Sequence, residues 1–111
     1  MSEAPPIVLV TASLSFRVQP QNQAEVFSIV NTVAERLRRA PGCGRTRLLT
    51  DVDDPNAFTL VSEWPDLQSA EAFLELRELR VIRGIRILLR SEPTVLLDEI
   101  SNRVTRLLGA D

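Results

Sequence analysis

Histidine, tyrosine and lysine are all absent from this 111-residue chain. Without His or Lys there is no side chain whose ordinary pKa suits a general base near neutral pH, and no amine for a Schiff base. Ser-His-Asp and Cys-His arrangements cannot be built within the chain. Cys43 is the one cysteine, which rules out an internal disulfide and fits a reducing compartment. A single Cys with carboxylates is a poor donor set for zinc, and no metal is expected. The four glycines, at 42, 44, 84 and 109, are wrongly spaced for a phosphate-cradling loop. No apolar run approaches the ~20 residues of a membrane span; Ile85–Leu89 is interrupted by Arg86 and followed by Arg90. The opening Met-Ser-Glu-Ala-Pro-Pro has neither the basic nor the apolar region of a secretion signal, so a cytoplasmic location is the expectation.

What is present suits one soluble domain, since 44% apolar residues in a chain of this length can build a single core. All thirteen basic residues are Arg. Five of them, at 77, 80, 83, 86 and 90, lie in one helical stretch, where Arg83, Arg86 and Arg90 cluster and Arg77 and Arg80 swing away. With a net charge of −2, few aromatics and no narrow basic stripe, nucleic-acid binding is not expected.

Ile7–Val18 alternates, with Val8, Val10, Ala12, Leu14, Phe16 and Val18 on one face and Thr11, Ser13, Ser15 and Arg17 on the other. That period of two predicts a strand. Asn22-x-x-Glu25 resembles a capping box for a helix running to about Ala40, with Val26, Phe27, Val30, Val33, Ala34 and Leu37 as its apolar stripe. Pro41-Gly42 stops that helix. A hairpin follows, with strands Arg45–Val52 and Ala57–Trp64 around the turn Asp53-Asp54-Pro55-Asn56. Asp66 is a candidate N-cap for a second helical region with Leu67, Ala70, Phe73 and Leu74 on its buried face. The pattern shifts phase near Arg77, and an amphipathic stretch with Val81, Ile82, Ile85, Leu88 and Leu89 runs to about Arg90. Glu92-Pro93 breaks it, and Thr94–Ile100 is the last strand. Residues 1–6 read as a flexible lead-in, and the apolar groups of 103–111 as an extension docked on the domain or on a partner copy.

The order β-α-β-β-α-β is a split βαβ unit of the ferredoxin-like α+β type. Right-handed crossovers predict an antiparallel sheet in the order 4-1-3-2 with both helices on one face. The other face is then bare, and a one-sided sheet needs a cover. The mixed odd-numbered set on the first strand suits a subunit interface, so a homodimer is expected, two sheets packing into a dimeric α/β barrel. Glu63 belongs to that second face, with Arg47 as its expected cross-strand neighbour in an ion pair that sets register or dimer geometry. Trp64 belongs to the helix-covered face with Phe58, Leu60 and Ser62. It is either a wall for an aromatic ligand or a core residue closing the sheet's end.

Pro41-Gly42-Cys43, then Asp51 to Phe58 with Asp54-Pro55-Asn56, then Glu63-Trp64 and a helix, is similar to the antibiotic biosynthesis monooxygenase (ABM) domains. The later run Arg80-Val81-Ile82-Arg83-Gly84 and Leu88 to Pro93 resembles their quinol-monooxygenase-like subgroup. The resemblance spans 7–102 and implies a dimeric α/β barrel. It also implies a cofactor-independent oxidation of a quinol- or anthrone-type aromatic, with O₂ as co-substrate, or else haem degradation, which lacks its His here. Of the family's functional positions only Trp64 matches. Leu60 stands where anthrone-oxidising members carry Asn, Leu14 near the first-strand Asn of haem-degrading members, and Phe73 or Leu74 near their helix His. The candidate pocket is therefore Trp64, Leu60, Ser62, Leu14 and Phe73, with catalytic residues unassigned. The alternative implied is a non-catalytic dimer that binds a small molecule or serves as an accessory protein.

Overall fold

The computed structural model describes residues 9–101 and 108–109. The expected lead-in, and the extension save Leu108 and Gly109, lie outside the described residues. Strand β1 (Leu9–Arg17) leads through a 3₁₀ turn at Pro20–Asn22 into helix α1 (Gln23–Leu37). The hairpin of β2 (Thr46–Thr50) and β3 (Ala57–Trp64) follows, then the short helices α2 (Leu67–Phe73) and α3 (Arg77–Gly84). A 3₁₀ turn at Arg86–Leu88 precedes the last strand, β4 (Thr94–Ile100). The four strands form one antiparallel sheet in the order β2-β3-β1-β4, the expected ferredoxin-like order read from the other edge.

Parity along β1 decides the layers. Val10, Ala12, Leu14 and Phe16 are buried, and their cross-strand partners on β3 are Trp64, Ser62, Leu60 and Phe58. Val26, Val30, Val33, Ala34 and Leu37 of α1, Ala70 and Phe73 of α2, and Leu79 and Ile82 of α3 complete that core. The opposite face carries Thr11, Ser13 and Ser15 beside Thr59, Val61 and Glu63, and no element among the described residues covers it. Ser15 and Thr59 hydroxyls meet there at 3.3 Å.

Local chemistry sets the ends. Helix α1 ends at Leu37, short of the expected Ala40, and Gly42, at φ +82° in the left-handed region that Gly adopts without strain, serves the Ala40–Cys43 turn that follows. In the hairpin, Asp51 Oδ1 accepts from the Asp53 N–H at 2.7 Å and Asp54 Oδ1 from the Asn56 N–H at 2.9 Å. These Asx contacts shorten β2 at Thr50, two residues before the expected end. Gly44 and Arg45 both hydrogen-bond the backbone of Glu63, a two-against-one pattern that delays the start of β2 to Thr46. Asp66 caps α2 as expected, accepting from the Ser69 N–H at 2.7 Å.

Several expectations are corrected. Asn22 flanks α1 but its side chain makes no cap bond; its amide donates instead to the Leu88 carbonyl at 3.4 Å. Phe27 is exposed at 43%, because it lies at the margin of the α1 stripe, where its ring meets that of Phe58 edge-on at 5.7 Å. Leu67 and Val81 are likewise exposed, whereas Leu79 is core. The helical stretch does not reach Arg90. It stops at Gly84, and Leu89 pairs with Val18 in an isolated bridge while the Arg90 N–H donates to the Arg17 carbonyl at 2.6 Å. Tertiary hydrogen bonds to the end of β1 have replaced the helix's last turn.

Leu60 is fully buried at the centre of this core, and we expect Leu60→Ala to cost about 2–5 kcal/mol in urea unfolding. The Ser69 backbone and side chain hold the Asp66 carboxyl below its ordinary pKa. Its folded pKa is thus depressed, so its stabilisation is present above the unfolded value and fades as pH falls through the folded one. Urea titrations should show wild type ahead of Asp66→Asn at neutral pH, with the gap closing in acid.

Candidate functional site

Register places Trp64 across from Val10 at the end of β3, where α2 crosses the sheet. The indole is 3% exposed, donates from Nε1 to Ser62 Oγ at 2.9 Å, and lies 5.5 Å from the Phe73 ring centroid at a 38° tilt. Ser62 is itself fully buried and so is satisfied by that bond. Trp64 therefore serves as a core residue. Its one open margin, with Phe73, faces a shallow hollow of about 160 Å³ edged by Ala40, Pro41, Ser69, Ala72 and Leu76.

Leu14, two residues along the same face of β1 from Ala12, belongs to a different space. A hollow of about 280 Å³ opens between α3 and the edge strand β4. Leu14, Leu74, Leu79 and Ile82 line it from beneath and from the helices, and Pro93 and Val95 from β4 and its approach; Arg83, Arg86 and Glu92 supply its charge. It exists because β4 is an edge strand whose helix-facing residues are incompletely covered: Val95, opposite Leu14, is 41% exposed. An apolar recess with a few polar groups at its rim has the chemistry of a small-ligand site, at the lower end of the usual ~300–1,000 Å³.

Leu14, Leu60, Ser62 and Trp64 thus share one sheet face, onto which α2 packs Phe73, but no hollow among the described residues is lined by all five. Leu60 and Ser62 are sealed in the core, Trp64 and Phe73 border the smaller hollow, and Leu14 borders the larger. On the other face Glu63 lies where parity put it, on the same side as Arg47. Arg47 stands opposite Val61, with Glu63 diagonal to it on the same face; the same register carried one pair past Thr46–Ser62 sets Arg45 across from Glu63, whose N–H donates to the Arg45 carbonyl at 3.0 Å. Cys43 is half-buried, its sulfur 3.3 Å from Thr46 Oγ1.

Sequence reasoning missed most of the Leu14 hollow. Its signal was the i, i+3 pair Arg83 and Arg86, read only as clustering with Arg90 on one helix face. The structure separates the three. Arg90 is held by the Val18 carbonyl at 3.3 Å and Asp54 at 3.4 Å, stitching the hairpin turn to β1. Arg83 donates to the Leu74 carbonyl at 3.4 Å, and Arg86 approaches Glu92 at 3.7 Å, both at the hollow. No described cluster of His, Cys, Asp and Glu could hold a metal ion, and no described helix is long and apolar enough to cross a membrane.

A βαββαβ fold with a recess between its helices and its edge strand defines an α+β domain of the ferredoxin-like class. The sequence profile described as antibiotic biosynthesis monooxygenase matches residues 9–84, and the chain belongs to that family. No curated protein sequence matches the chain. Among solved structures, one described as an antibiotic biosynthesis monooxygenase is 23% identical, covering 86% of this chain and 99% of that one at a TM-score of 0.73. A conserved protein from Methanosarcina mazei Go1 is 16% identical over 83% of this chain and 92% of its own, with a TM-score of 0.75. A Deinococcus radiodurans protein is 16% identical over 90% and 99%, at 0.78. At these identities the likeness is one of fold.

Ser62→Ala would leave the buried indole N–H without an acceptor. We expect a loss of about 1–3 kcal/mol in urea unfolding, with Trp64 emission still that of a buried indole before the transition. Since the chain has one Trp and no Tyr, that emission reports this site alone.

Proposed function

We propose that the chain is a cofactor-independent monooxygenase of the quinol or anthrone type, with the Leu14 hollow as its substrate site. The observation that carries this reading is an apolar recess with two arginines at its rim in a member of the ABM family. An electron-rich phenolic aromatic fits such a recess, and a guanidinium beside it favours the ionised phenol over the neutral one. The proton passes to water at the open mouth. The anion then reduces O₂, one oxygen atom enters the substrate and the other leaves as water, and the substrate supplies all four electrons. The chain's part is to hold the aromatic plane, exclude water from the reacting carbon and stabilise the anion.

We further propose that the chain acts as a homodimer joined through the open sheet face. Leu49 and Leu96 are exposed there, at 42% and 56%, with Val61 and Ile100 half-buried beside them. Arg17, Arg47, Glu63 and Asp98 supply charges of both signs on that face. A second copy turned through a two-fold axis can match apolar to apolar and acid to base.

One observation favours a non-catalytic, ligand-binding reading instead: the residues lining the hollow include no His, the usual general base near neutral pH. Oxygen consumption separates the two. Purified protein with a panel of quinols and anthrones should take up O₂ in equal measure to the carbonyl product, without peroxide release. Val95→Phe, which fills the hollow from a half-open position, should lower that rate about tenfold or more while leaving thermal unfolding unchanged. No uptake with any member of the panel overturns the enzyme reading. Sedimentation should give twice the chain mass, and Leu96→Arg should return it to a monomer.

A further inference from the structure

The charge at the Leu14 hollow runs against that of the whole molecule. The chain carries a net charge of −2, yet the hollow's charged lining is two arginines and one glutamate. Arg86 and Glu92 face each other at 3.7 Å, with side chains 66% and 74% exposed. A solvated pair at that distance is weak and readily exchanged. Arg83 is tethered by one 3.4 Å bond to the Leu74 carbonyl at the end of α2, which holds its guanidinium, a group of five N–H donors, at the rim. Beneath both lie Leu14, Leu79, Ile82 and Val95, which offer no polar side-chain atom.

From this we propose that the hollow selects an aromatic ligand bearing an acidic group, and that Glu92 is a built-in competitor for that group's cation. The inference rests on the Leu14 hollow being the ligand site. The ligand's aromatic body lies on the apolar floor, and its carboxylate or ionised phenol takes the place of the Glu92 carboxylate on Arg86. A guanidinium presents a planar fork of donors that a carboxylate can meet in two parallel bonds, a geometry better than the single long contact Glu92 now makes. The floor lowers the local dielectric once water is expelled, so the new pair is stronger than the solvated one it replaces. A neutral analogue of the same shape buries the same apolar area but cannot make that exchange. Arg90 takes no part, since its guanidinium is committed to Val18 and Asp54.

Calorimetric titration of the full chain with 2-naphthoate and with its neutral isostere 2-naphthamide tests this without reference to oxygen. We expect naphthoate to bind about tenfold tighter, the scale of one charge-assisted hydrogen bond, and the preference to shrink as salt rises. Glu92→Gln should tighten naphthoate binding and leave naphthamide unchanged. Arg86→Gln should make the two ligands equal, and Val95→Phe should remove both. A merely structural Arg86–Glu92 pair would not make Glu92→Gln a gain for one ligand only. Equal affinities in the wild type overturn the selection while leaving the hollow a binding site. Weaker naphthoate binding by Glu92→Gln overturns the competitor role. Failure of both ligands to bind overturns the hollow as a site for aromatics, and the selection with it.

Discussion

The alternation along β1 constrains everything else in this molecule. β1 is paired on both edges, to β3 and to β4, so its two faces fix which side of the whole sheet is core. A slip of one residue would turn Val10, Ala12, Leu14 and Phe16 outward and bury Arg17, an arrangement no element here could compensate. With the register fixed, Trp64, Ser62, Leu60 and Phe58 must face inward, and α1, α2 and α3 have one surface to pack on. Even the irregular stretch after α3 is governed by β1, through the Val18–Leu89 bridge and the Arg90 contacts with Val18 and Asp54.

The same constraint explains where open space remains. The middle of the sheet is sealed: Leu60 and Ser62 have no exposed area, and Trp64 spends its one donor on Ser62. Space remains where coverage thins, at the edge strand β4. There two short helices, rather than one long one, lie over Leu14 and Val95, and the break between them supplies the walls of the recess. Stability and access have been divided between the centre and the edge of one sheet.

Most of the architecture was legible because strand alternation and turn chemistry are local. Parity placed Trp64 and Glu63 on opposite faces, Asp66 announced α2, and Pro41-Gly42 announced the end of α1. Errors fell where long-range contacts override a local pattern. Asn22 has the spacing of a capping box, but Leu88, 66 residues away, offers its amide a carbonyl. The apolar period beyond Gly84 suits a helix, but Leu89 and Arg90 find backbone partners on the end of β1. Arg47 and Glu63 share a face as alternation requires, while the register set at the hairpin turn, where the Asp51 N–H donates to the Ala57 carbonyl, decides who stands opposite whom.

By itself, then, the sequence determined the βαββαβ order, the side of the sheet each strand residue takes, and the exclusion of His- or Lys-based chemistry, since all three depend on residue identity and on periods of two or 3.6. Only the tertiary structure decided that Trp64 is core, that Leu14 belongs to a separate recess, and that Arg83 and Arg86 border it while Arg90 does not. Those outcomes depend on how two short helices cross an edge strand and on hydrogen bonds between segments far apart in the chain. Periodicity along the chain carries no term for either.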